Sequence, residues 1–140
     1  MLIRRILDNC ALHRIASKTP GDPRGVLTAI EGERDITFAI ARIYFLTATP
    51  RDAVRGFHAH RALEQYALCA RGSCTFEVDD GRQRQSIALT GPENGLYMGP
   101  MLWHEMRDFS ADCVLMVLAS AHYDEADYIR DYAEFEELTR

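Results

Sequence analysis

Apolar residues in this chain fall in short runs, alternating or nearly continuous, and few of them recur at helical spacing. Residues 25–31 (GVLTAIE), 36–49 (ITFAIARIYFLTAT), 64–70 (EQYALCA), 73–79 (SCTFEVD), 84–89 (RQSIAL), 95–99 (GLYMG), 103–109 (WHEMRDF) and 112–120 (DCVLMVLAS) read as strands. They are short, rich in β-branched and aromatic residues, and bounded by Gly, Pro, Asp or Ser. Asp80–Gly81 suits a two-residue hairpin turn, because such turns need residues that tolerate positive φ. Residues 17–25 and 49–56 read as surface loops, the second delivering the chain to RGFHAH at 55–60. After residue 123 the pattern changes. Asp124 can cap a helix, Asp127 follows three residues on, and Tyr128, Ile129, Tyr132 and Phe135 recur at helical spacing. The expected chain is a series of antiparallel strands closed by one C-terminal α-helix. Evenly spaced strands with turn signals imply an all-β sandwich or barrel.

Length and composition narrow this picture. At 140 residues the chain fits one domain, 1–140, with enough apolar surface for one core. Its 16 basic and 21 acidic residues leave a charge of -5, which argues against nucleic acid as a partner. An anionic ligand would then need locally placed arginines. Arginine does dominate the basic set, with Lys18 the only lysine, and its planar fork suits phosphate. Cys10, Cys69, Cys74 and Cys113 sit in apolar stretches without a C-x-x-C pair, and read as reduced core residues. The first eighteen residues lack the apolar run of a signal peptide, and no run of 18 apolar residues exists to span a membrane. A cytoplasmic location is the default expectation.

RGFHAH carries the chemistry. On a strand, side chains alternate faces, so His58 and His60 project to the same side. With Glu64 they form H-x-H-x3-E, and His104 follows about forty residues later, an arrangement similar to the cupin metal signature in a jelly roll. Imidazole and carboxylate ligands suit iron, manganese, nickel or zinc. The match departs in two places: the closing glycine falls at Gly72, and PMLWH puts Leu102 where the second cupin motif has glycine. A second reading is proton transfer, since imidazole offers both protonation states near neutral pH. Abstraction next to a carbonyl also needs donors for the developing oxyanion, which nearby Arg and Tyr can supply. A third is two histidines merely solvated at a loop end. The residues alone leave these open.

RGFHAHRALEQ, GSCTFEVDDG, GLYMGPMLWHEM, VLMVLAS and YDEADYIRDYAEF together resemble the WxcM-like sugar 3,4-ketoisomerases, from about Gly25 to Phe135. The resemblance implies a metal-free jelly roll of the cupin class, usually a homodimer, that uses no cofactor. Its implied substrate is thymidine diphosphate (TDP) 4-keto-6-deoxyglucose. The ketone moves from carbon 4 to carbon 3 through an enediol(ate), in a route to a 3-amino-3,6-dideoxyhexose of a bacterial surface polysaccharide, lipopolysaccharide or glycoprotein. The string as a whole is nearer the branch giving the galacto product. By the same resemblance, His58 matches the catalytic base and His60 its proton-shuttling partner. Arg55 contacts phosphate or sugar oxygens, and Arg42 and Tyr44 line the sugar pocket. Ala41 stands where many relatives have lysine. Hexapeptide repeats of the fused acyltransferases are absent, so isomerisation alone is expected.

Other residues divide between site and scaffold. Trp103 can stack on sugar or thymine or pack in the core. Tyr97 has the same two readings, and His104 is a third pocket residue or a structural hydrogen-bonder. Asp22 and Arg24 offer a loop contact to nucleotide or a solvated turn. Glu64 can orient a histidine instead of ligating metal. Two rivals to the isomerase remain: a metal-dependent cupin using His58, His60, Glu64 and His104, and a nucleotide-sugar-binding cupin without catalysis.

Overall fold

The computed structural model describes residues 2–140, and their alternating burial is what builds its sheets. In chain order the strands are β1 (Leu2–Leu7), β2 (Cys10–Arg14), β3 (Arg42–Leu46), β4 (Arg55–His60), β5 (Gln65–Arg71), β6 (Ser73–Asp79), β7 (Arg84–Thr90), β8 (Asn94–Met98), β9 (Trp103–Arg107) and β10 (Val114–Ala119). A 3-10 turn at Glu125–Asp127, strand β11 (Tyr128–Ile129) and helix α1 (Tyr132–Leu138) close the chain. One sheet has the order β1-β2-β8-β5-β10-β3 and the other β11-β4-β9-β6-β7, with antiparallel neighbours throughout. Two antiparallel sheets face to face form the jelly-roll sandwich that the strand pattern implies.

Strand β6 shows the cause locally. Cys74, Phe76 and Val78 are buried while Thr75 and Glu77 are only partly so, the period-2 signature of a sheet with one face on a core. Those three meet Leu89, Leu96, Leu115 and Val117 from the other strands in the main cluster between the sheets. Full burial of a side chain such as Phe76 or Leu89 contributes roughly 1.5–3 kcal/mol. A smaller cluster around Trp103, Ile129 and Phe135 seats the C-terminal segment on the second sheet.

Several expectations shift. The N-terminal stretch pairs as β1 and β2, although its charges hid it. Residues 25–31 form no strand, with Val26 and Leu27 exposed, and only Arg42–Leu46 of 36–49 joins a sheet. Asp80 N–H donates to Gln83 O at 3.2 Å, which centres the β6–β7 turn on Gly81 and Arg82, one residue later than expected. The C-terminal helix starts at Tyr132, capped by Asp131, whose carboxylate accepts from the Ala133 N–H. Asp124 caps only the 3-10 turn. Tyr128 and Ile129 are strand residues, paired with His60 and Ala59. No described helix is long and apolar enough to cross a membrane.

Candidate active site

Strand β4 carries both histidines and does so through a bulge. Its register against β9 runs Gly56↔Glu105 and then His58↔His104, leaving Phe57 unpaired. Gly56 has φ +96° and Phe57 +58°. A Cβ at Gly56 would lie 2.6 Å from the His104 carbonyl oxygen, so only glycine fits. The bulge sets His58 directly across from His104, while His60 faces Tyr128 across β11. Four rings converge: His58 lies 5.0 Å from His60, 4.6 Å from His104 and 4.9 Å from Tyr128, and His60 lies 4.4 Å from Tyr128 (ring centroids).

Each imidazole is held by its Nδ1. The His58 Nδ1–H donates to Gly56 O at 3.0 Å, His60 to Asp127 Oδ2 at 3.1 Å, and His104 to Leu102 O at 3.3 Å. Because carbonyl and carboxylate oxygens only accept, each Nδ1 carries the hydrogen and each Nε2 is left with a lone pair. The His60 Nε2 is buried with no partner among the described residues. Burial pushes the pKa of all three rings down. For His58 the Gly56 carbonyl opposes that, and for His60, lowered to about 4, the neighbouring His58 adds to it while Asp127 opposes. His104, wholly enclosed and beside the other two, falls well below the usual range. Neutral rings with free Nε2 atoms are the form in which imidazole accepts a proton.

The pocket around them is cationic. A cavity of about 320 Å³ is lined by His58, His104, Arg42, Tyr44, Arg55, Tyr128 and Arg130. A second, of about 180 Å³, continues past Arg42 and Tyr128 to His60, Asp127 and His122. Alternation along β3 turns Arg42, Tyr44 and Leu46 inward and leaves Ile43 and Phe45 exposed. The Arg42 guanidinium sits 5.3 Å from the Tyr44 ring, and Tyr44 OH accepts from Gln65 Nε2 at 2.8 Å. Three guanidiniums at the cavity wall suit a diphosphate, and the two imidazoles suit proton transfer.

Five candidate residues lie elsewhere. Glu64 accepts from Tyr97 OH at 2.7 Å and Thr37 Oγ1 at 3.2 Å, because the turn after His60 swings it away from the rings. It therefore neither orients a histidine nor completes the four-ligand cupin set. The three imidazoles alone have nitrogens within 4.8 Å of one another. Tyr97, engaged by Glu64, packs with the second core cluster and is not at the cavity wall. Trp103 is buried against Tyr132 and Phe135 and donates Nε1–H to Glu105 at 3.0 Å, on the opposite face of β9 from His104. Asp22 and Arg24 pair with each other at 2.9 Å in an exposed turn.

Sequence reasoning missed Asp127, Tyr128 and Arg130. Asp127 Oδ1 accepts from the Ala62 N–H at 2.8 Å while Oδ2 holds His60, so it clamps both the ring and the turn after β4. The Arg130 guanidinium lies 4.2 Å from the Tyr128 ring and is paired with Glu125 at 2.7 Å. The only signal was their place in YDEADYIR.

Known proteins resemble this arrangement closely. The FdtA family, described as WxcM-like, C-terminal, matches residues 8–140. A TDP-4-oxo-6-deoxy-alpha-D-glucose-3,4-oxoisomerase from Aneurinibacillus thermoaerophilus is 54% identical over 114 residues, covering 81% of this chain and 82% of that one. Among solved structures, the 3,4-ketoisomerase QdtA from Thermoanaerobacterium thermosaccharolyticum superposes with a TM-score of 0.91, at 41% identity and 96% coverage of both chains. That structure has one histidine replaced by asparagine and contains TDP-4-keto-6-deoxyglucose. A 3,4-ketoisomerase from Helicobacter canadensis is 43% identical, with a TM-score of 0.89 over 94% of this chain and 97% of that one.

Proposed function

The chain belongs to the FdtA (WxcM-like, C-terminal) family, and on that premise we propose that it isomerises TDP-4-keto-6-deoxyglucose, moving the ketone from carbon 4 to carbon 3. The observation that carries the chemistry is the imidazole cluster at an arginine-lined cavity, with each Nδ1–H tied and each Nε2 free.

The His58 Nε2, at the wall of the larger cavity, removes the proton on carbon 3. The electron pair moves into an enediolate, whose oxygen charge Arg42 and Tyr44 are placed to stabilise. Carbon 4 is then reprotonated, and His60, steadied by Asp127, passes the second proton between the two oxygens. Arg55 and Arg130 hold the diphosphate. One positioned acid or base contributes about 10²–10⁴-fold, so the histidine pair supplies much of the acceleration and the guanidiniums the rest. Reprotonation gives the galacto product, and an aminotransferase consumes the 3-ketone on the way to a 3-amino-3,6-dideoxyhexose. We place the enzyme in the cytoplasm, where thiols stay reduced. We take it to be a homodimer, because Ile43 and Phe45 on edge strand β3 are 52% and 57% exposed.

Incubation with TDP-4-keto-6-deoxyglucose in heavy water, followed by NMR, tests the reading. The expected spectrum shows the 3-keto product with deuterium at carbon 4, and deuterium at carbon 3 of substrate re-formed by the reverse reaction. A parallel incubation in ordinary water gives the proton couplings that report the configuration at carbon 4. Substrate that remains unchanged and unexchanged overturns the assignment.

A further inference from the structure

A second cluster of chemically active side chains lies in the same sandwich and plays no part in isomerisation. Cys69 from β5, Cys74 from β6 and Cys113 just before β10 bring their sulfurs together, and all three thiols are free. Cys69 Sγ is 3.7 Å from Cys74 Sγ and 3.9 Å from Cys113 Sγ, and the three sulfurs lie within 4.8 Å of one another.

The cluster is remote from the histidines. Cys74 is the second residue of β6, whereas Val78 near its other end pairs with His104. Four residues of strand separate the two levels, about 13 Å at the usual rise. Cys69 and Cys74 are shut in the core, but Cys113 sits at the end of the barrel beside Asp112, whose side chain is 54% exposed. That end supplies the route in.

Geometry narrows what could enter. An ion bonded to three sulfurs at about 2.3 Å in a trigonal plane spaces them about 4.0 Å apart, which is nearly the spacing already present. No imidazole or carboxylate joins the group, so nothing in it recommends a hard cation. A purely sulfur donor set selects soft ions, Cu(I) foremost among those content with three ligands. We propose that Cys69, Cys74 and Cys113 form a trigonal thiolate site for a soft, thiophilic cation of the Cu(I) class. Binding replaces S–H by S–metal bonds, each thiolate formed releasing its proton to solvent, and no electrons are transferred. The ion ties β5, β6 and the approach to β10 together and stabilises the fold by mass action.

The test is an anaerobic titration of the full chain with Cu(I) against a chromophoric Cu(I) chelator, with X-ray absorption at the copper edge. The expected result is one copper per chain, an all-sulfur shell near 2.3 Å, and a higher melting temperature. Copper should persist in His58→Asn and in Cys10→Ser, a cysteine outside the cluster, and be lost in Cys69→Ser. Should Cys69→Ser misfold, Cys113→Ser at the barrel end must weaken retention at least tenfold. Wild-type protein that surrenders all its copper to the chelator overturns the site. So does a nitrogen shell that disappears in His58→Asn, which would put the ion on the imidazoles.

Discussion

Three imidazoles at one level of the sandwich and three thiols at another make an informative pair. Burial disfavours charge in both sets, lowering the pKa of the imidazoles and raising that of Cys113 to about 12. What differs is the surroundings. Every imidazole hands its Nδ1–H to a fixed oxygen and turns a lone pair elsewhere, and the group opens on a cavity walled by Arg42, Arg55 and Arg130. The thiols bond mainly to each other and lie among Leu89, Phe76 and Leu115, with no charged wall. Proximity of reactive groups is common to both. Acid–base chemistry needs, in addition, an anchored tautomer and a place for the substrate.

The sharpest way to break that comparison is one substitution at each level. His58→Asn should lower kcat by about 10²–10⁴-fold while leaving the melting temperature nearly unchanged, since the ring is only half-buried. Leu89→Ala, beside the thiols and fully buried, should cost about 2–5 kcal/mol in denaturant unfolding yet leave kcat per folded molecule intact. If the two outcomes were exchanged, the division between reactive and structural levels would be lost.

A smaller effect is expected at Asp127. Asp127→Asn keeps an acceptor for the Ala62 N–H but removes the charge facing His60. A charge-assisted hydrogen bond of about 1.5–3 kcal/mol translates to a kcat loss of about 10–100-fold. Because Asp127 raises the His60 pKa, its removal should also move the acidic limb of the pH–rate profile to lower pH. An unchanged limb would show that Asp127 only braces the turn.

How far the sequence foretold these two levels differs by element. Strands β5 to β10 were legible because apolar alternation and Gly, Asp or Ser boundaries agree. Strands β1 and β2 were not, because Arg4 and Arg5 lie exposed near the sheet edge and break the alternation. Residues 25–31 carry strand-like side chains but meet no pairing partner. Tyr128 and Ile129 fit a helical spacing, yet hydrogen bonding to β4 overrides it. In the site, period 2 made His58, His60, Arg42 and Tyr44 readable as same-face pairs. Asp127 was hidden because it meets His60 across 67 positions of chain. Trp103 and Tyr97 misled because an aromatic residue has the same sequence signature whether it faces a ligand or packs on a core.

The smallest expected effect is on acid stability. The folded-state pKa of His60 lies near 4, below the value of about 6.5 for an unperturbed ring, so the unfolded chain binds the proton first. Stability should therefore be full above pH about 6.5 and decline as pH falls toward about 4, by on the order of 1–3 kcal/mol. His60→Gln should flatten that part of the curve in denaturant titrations at successive pH values.

The central claim is that the three imidazoles are neutral, each with its hydrogen on Nδ1 and a bare Nε2. Long-range proton–nitrogen correlation NMR of the histidine rings at pH 7 reads this directly. The account predicts that His58, His60 and His104 all show the Nδ1–H tautomer, the minor form in free solution. Rings protonated at Nε2, or carrying both protons at that pH, would contradict it.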